Sequence, residues 1–69
     1  MEPDVCKRLG INLKRLRNAT GRSQEDFADH AGINRTYISD LERGARNPTV
    51  RVVDKLAKAL GVMPGSLLD

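Results

Sequence analysis

Between Val5 and Gln24 the chain carries six cations, Lys7, Arg8, Lys14, Arg15, Arg17 and Arg22, and no carboxylate. A patch of one sign attracts phosphate. An exposed, solvated helix face is the plainer reading, and it suits Lys14 and Arg15. Further along, Arg35, Thr36, Ser39 and Asp40 recur at helical spacing, opposite Ile38 and Leu41. That face offers hydrogen-bond donors and acceptors and lacks a nucleophile paired with a base. His30 reads as a surface residue at a helix end, not a ligand or acid–base group. Cys6 reads as a small core or edge hydrophobe, exposed at most to an adventitious intermolecular disulfide. One cysteine and one histidine cannot fill a four-ligand zinc site. With no glycine-rich phosphate loop either, the pattern predicts no enzyme, no metal, no cofactor and no small-molecule ligand.

The chain has 69 residues and a formal net charge of +3. That length allows one domain, read here as residues 1–69. Such a short chain buries only ~60% of its unfolded surface. Without a disulfide or a metal, its stability must come from regular helix packing and from self-association. No run approaches the ~20 apolar residues of a membrane span. The start, Met1-Glu2-Pro3-Asp4, is acidic and lacks the apolar stretch of a signal peptide. With a lone thiol, the expected compartment is the reducing cytoplasm. Phe27 and Tyr37 are the only aromatic residues. Single-strand binders present several stacking rings, so the polyanion favoured here is duplex DNA.

The elements that must position these groups are helices. Leu9, Leu13 and Leu16 form one stripe, with Val5 and Cys6 a turn earlier, which predicts a helix from about Asp4 to Ala19 closed by Gly21. Ser23 opens a capping-box pattern with Asp26 reaching back. The second helix runs from Gln24 to about His30 and buries Phe27, Ala28 and Ala31. Gly32 turns the chain, and Asn34 caps a third helix that ends near Arg43 and Gly44. Ile33 and Ile38 are placed as a hydrophobic staple. Thr49 caps a fourth helix with the core stripe Val50, Val53, Leu56, Ala57 and Leu60, closed by Gly61. Pro64 suits the first position of a short fifth helix carrying Leu67 and Leu68.

Two helices joined by three or four residues cannot pack antiparallel; they cross steeply and the second projects. Ala28 must then be small and Gly32 must turn, while Ile33, Ile38 and Leu41 anchor the third helix from one side. The stretch Ser23-Gln-Glu-Asp-Phe-Ala-Asp-His-Ala-Gly-Ile-Asn-Arg-Thr-Tyr-Ile-Ser-Asp-Leu-Glu-Arg-Gly44 resembles the Cro and lambda-repressor type of helix-turn-helix, the XRE family. Asn47-Pro48-Thr49 and Leu56-Ala-Lys-Ala-Leu-Gly-Val62 resemble the same family, and the match covers roughly Leu9 to Leu68. In size the chain is similar to restriction–modification controllers.

The resemblance implies an all-α, five-helix fold with the helix-turn-helix at about residues 24–43. It also implies sequence-specific duplex DNA binding, by a transcriptional repressor or controller acting as a homodimer on an inverted-repeat operator. Arg35 and Thr36 match first-turn positions that reach base edges, with Ser39 and Asp40 one turn on. Arginine can bond guanine O6 and N7 together, and Thr36 can meet a thymine methyl. Asp40 repels phosphate unless a cytosine amino group or a neighbouring arginine meets it. Gln24, Asn34, Tyr37, Arg43, Arg46 and Asn47 fall along the phosphate backbone. For Tyr37 the other reading is a cover for the core edge, and for Arg43 a charge complementing the helix dipole. Arg17 and Glu42 match a structural ion pair. Val52, Met63 and Leu68 are the candidates for a dimer interface. The alternative is an antitoxin-like or adaptor module that shares the fold; an adaptor tolerates an apolar outer face on the third helix, whereas this one is polar.

Overall fold

A computed structural model describes residues 4–69, and the first four of its five helices start at capping side chains. The helices are α1 (Val5–Thr20), α2 (Gln24–Ala31), α3 (Arg35–Glu42), α4 (Val50–Leu60) and α5 (Gly65–Leu68), with no strand among the described residues. Met1, Glu2 and Pro3, whose acidic character entered the sequence reading, lie outside the described residues. Side chains of Asp4, Ser23, Asn34 and Thr49 accept the backbone N–H groups of Cys6, Asp26, Thr36 and Val52, at 3.3, 3.1, 2.7 and 3.2 Å. Each such cap contributes about 1 kcal/mol. The Ser23 cap is one-way, because the short Asp26 side chain makes no return bond. At the turn between α2 and α3, Gly32 has φ +70°, a conformation costly for any residue with a Cβ. The Ile33 N–H then closes on the Ala28 carbonyl at 2.9 Å.

The core is Leu9, Leu13, Phe27, Ala28, Ala31, Ile38, Leu41, Leu56, Ala57 and Leu67, with Ile33, Val53 and Leu60 packed at its edge. Helix α1 lies against both α3 and α5, and α2 lies against α3 and α4. The α1–α3 crossing is close because Gly10 sits inside it. A Cβ there would stand 2.5 Å from the Leu41 carbonyl oxygen and 2.8 Å from that of Glu42. A mid-helix glycine costs about 0.5–1 kcal/mol relative to alanine; here it permits backbone-to-backbone contact with the end of α3.

The polar side chain of Asn12, buried on α1, closes the fold at its far end. Its Nδ2 donates to the carbonyls of Leu67 at 3.0 Å and Asp69 at 2.9 Å. Arg8 Nε donates to the Leu68 carbonyl at 3.3 Å. The last turn of α5, too short to satisfy its own carbonyls, is held by α1.

Three expectations change. Val5 is exposed, because α1 begins beyond the edge of the core, where Cys6 is half-buried as an edge residue. Burial and the neighbouring Asp4 carboxylate push the Cys6 thiol pKa up. Val50, placed in the α4 stripe, is 86% exposed. Val52, read as off the stripe, is half-buried against the core. The stripe is therefore centred nearer Leu56, and Val50 overhangs a flank that the four-residue α5 does not cover.

Candidate nucleic-acid interface

Helix α3 is fixed on one side by Ile38 and Leu41, both fully buried, and exposes Arg35 and Thr36 in its first turn. The Asn34 carboxamide oxygen is engaged in capping the Thr36 N–H. Ser39 is half-buried one turn on. Tyr37 is half-buried and packs against the core, while its ring lies 5.3 Å from the Arg46 guanidinium carbon, within cation–π range. Arg43, Arg46 and Asn47 are exposed at the end of α3 and in the loop after it. The first turn of α3 and this loop are thus parts of one polar surface.

Beneath that surface lies a charged hub. Arg17 Nε and Nη2 donate to Glu42 Oε2 and Oε1 at 2.6 and 3.0 Å, a bidentate fork. Its Nη1 donates to the Arg22 carbonyl at 2.8 Å. Gln24 Nε2 donates to Glu42 Oε1 at 3.1 Å. The side chains of Arg17 and Glu42 are 9% and 3% exposed. Hydrogen bonding to Glu42 raises the Arg17 pKa further above its already high value. One carboxylate therefore ties the end of α1, the start of α2 and the end of α3 together. Arg17, counted in the sequence among the phosphate-attracting cations, is withdrawn from the surface by this pairing. Gln24 directs an amide N–H inward, a link that its sequence neighbours could not reveal.

Asp40, expected on the base-reading face with a cytosine amino group or a neighbouring arginine as its partner, is met in this structure by two arginines. Its Oδ1 accepts from Arg43 Nη2 and its Oδ2 from Arg46 Nε at 3.2 Å. Among the described residues no group of three His, Cys, Asp or Glu is placed to hold a metal, and no helix is long and apolar enough to cross a membrane.

Residues 8–69 match the family described as the helix-turn-helix domain. The chain belongs to that family. This helix-turn-helix chain is 44% identical over 62 residues to the control protein C.BamHI of Bacillus amyloliquefaciens, covering 88% of this chain and 76% of the relative. The solved restriction–modification controller C.AhdI of Aeromonas hydrophila superposes with a TM-score of 0.86 at 40% identity, covering 90% of this chain and 94% of that one. SinR, a helix-turn-helix regulator of Bacillus subtilis, is 32% identical over 62 residues, 88% of this chain and 56% of SinR. A structure of SinR in complex with DNA superposes with a TM-score of 0.84 at 32% identity, covering 88% of this chain and 98% of that one. The helix-turn-helix here is α2, the Gly32 turn and α3, and the chain is a DNA-binding transcriptional regulator of the XRE type.

Proposed function

We propose that this regulator acts as a homodimer on an inverted-repeat operator in the cytoplasm, as a repressor or controller of transcription. The observation that carries the reading is the pairing of a buried and an exposed side on α3. Ile38 and Leu41 lock the helix, while Arg35 and Thr36 stand free in its first turn. Arg35 and Thr36 reach base edges in the major groove, and Ser39 extends the contact. Tyr37, Arg43, Arg46 and Asn47 follow the phosphate backbone, with Asn34 and the remaining amide N–H of Gln24 at its margin. Backbone contacts set the register and base contacts supply the sequence preference.

The second copy sits on the flank of α4 and α5. Pro48, Val50, Val53, Pro64 and Leu68 line an open apolar groove there, with Arg51 and Asp54 among them. A two-fold axis pairs the same patch with itself, and in the proposed dimer Arg51 of each copy faces Asp54 of the other, which within its own chain pairs with Lys58 at 3.1 Å. Val50 takes the place first given to Val52; Met63 and Leu68, both exposed, stay in the proposed interface.

Selection of bound sites from random duplex DNA tests this reading. The expected product is a pair of inverted half-sites centred about one helical turn apart, roughly 10–10.5 base pairs. Failure to enrich any sequence, or enrichment of a single asymmetric half-site, overturns it. The adaptor alternative predicts the first of these failures.

A further inference from the structure

We propose that Asp40 is a positioning residue that presets Arg43 and Arg46 and restrains their attraction to arbitrary DNA. The inference rests on the duplex-binding reading above. Asp40 lies in the last turn of α3, with a side chain only 16% exposed, while those of Arg43 and Arg46 are 66% and 53% exposed. The carboxylate is thus largely withdrawn from solvent, while the two arginines that it holds are not. It takes one hydrogen bond from each, through Oδ1 and Oδ2. A guanidinium carries five N–H donors, so both arginines keep donors for a phosphate while anchored. Arg46 is held a second time by the Tyr37 ring. The backbone adds to the same clasp, because the Ala45 N–H closes on the Asp40 carbonyl at 2.9 Å. The loop after α3 is therefore fastened to α3 at Asp40, through both its side chain and its carbonyl.

Two consequences follow from this arrangement. Long side chains lose rotamer freedom when they grip a ligand, and here much of that ordering is already present in the free protein. The trio also carries a net charge of +1 where two unrestrained arginines would carry +2. Non-specific affinity depends on the number of phosphates neutralised, so the carboxylate lowers attraction to any duplex. Operator binding, which uses the preset geometry, loses less. Asp40 is in this way a specificity residue that touches no base.

The test uses the full chain with Asp40→Ala and, should that variant fail to fold, the isosteric Asp40→Asn. Affinity is measured on the selected operator, on its single-base variants and on an unrelated duplex, across a salt series. The unrelated duplex should bind about tenfold more tightly per monomer near 0.1 M salt, with the log–log slope steeper by ~0.9 per monomer, as for one further phosphate contact. The ratio of operator to unrelated affinity should fall, and base preferences should not move. Adding Arg43→Ala to either variant should cancel the gain. A changed preference confined to one base pair would make Asp40 a base reader and overturn the proposal. Unaltered or weaker binding to the unrelated duplex would overturn it as well. A wild-type chain that binds no duplex fails the DNA reading itself, whereas loss of the ratio change alone fails only this inference.

Discussion

Arg17 and Arg35 share a side chain and differ in everything around it. Arg17 is buried with three donors engaged on Glu42 and the Arg22 carbonyl. Truncating it leaves a buried carboxylate with only the Gln24 amide for company, and breaking a buried pair costs about 3–5 kcal/mol. Proteins hold only about 0.05–0.15 kcal/mol of stability per residue. Arg17→Ala should therefore lower the denaturation midpoint severely, read by circular dichroism, and weaken DNA binding only as a result. Arg35 is exposed and takes no part in the core. Arg35→Ala should leave melting unchanged, cost ~1–3 kcal/mol on the operator and relax preference at one position per half-site. Arg46→Ala should weaken all sequences about equally and lower the salt slope by about one contact per monomer. If Arg46→Ala shifts base preference and Arg35→Ala does not, the two roles are interchanged. The Arg17–Glu42 pair was legible through the resemblance alone. For Asp40 a neighbouring arginine was one of the partners considered, but that Arg43 and Arg46 share it, like the Gln24 bond, was not legible, because these groups meet only once α2, α3 and the following loop have taken their places.

At the scale of elements, capping residues and apolar spacing located the five helices to within a residue or two. They could not say how far each neighbour extends. Periodicity placed Val50 in the core stripe but could not show that α5 stops short of covering it, while Val52, read as off that stripe, packs half-buried against the core. Gly10 left a trace that went unread: a glycine inside a helical run weakens the helix, which is tolerated where another backbone must come close. A methyl at position 10 would press on two carbonyl oxygens of α3, neither of which can rotate away like a side chain. Gly10→Ala should cost on the order of 1–3 kcal/mol, as overpacking does. For a domain of this size each kcal/mol lowers the melting temperature by about 4–8 °C. The displaced α3 should also bind the operator less well even where the protein is still folded. A variant that melts at or above the wild-type temperature would show that the crossing can relax.

The described residues measure 34 Å along their longest axis, close to one turn of DNA, yet they hold a single recognition helix of eight residues, about 12 Å long at 1.5 Å per residue. One copy reads a fraction of a turn, so long sites require two. Val50 is the most exposed large apolar residue of the proposed contact and has little part in the monomer's own packing. Val50→Asp should leave helicity and melting of the monomer intact and shift sedimentation velocity toward one copy at micromolar concentration. Operator affinity should fall with it. With about four phosphate contacts made by each copy, the wild-type dimer should show a log–log salt slope on the order of −7, and the variant about half that. A slope near zero contradicts backbone contact altogether.

The grip of Asn12 on the Leu67 and Asp69 carbonyls spans 55 and 57 residues of chain. A ribosome adding ~5–20 residues per second makes the asparagine several seconds before the groups it holds. Through that interval the stripe of Leu9 and Leu13 lacks the cover that α5 later supplies. Native α1 is in this sense finished by residues near position 69, and the α4–α5 flank proposed to meet a second copy is assembled in the same step. A nascent chain therefore cannot present that flank before the residues near position 69 have been made, and in the proposed dimer a copy becomes competent to pair only after that point.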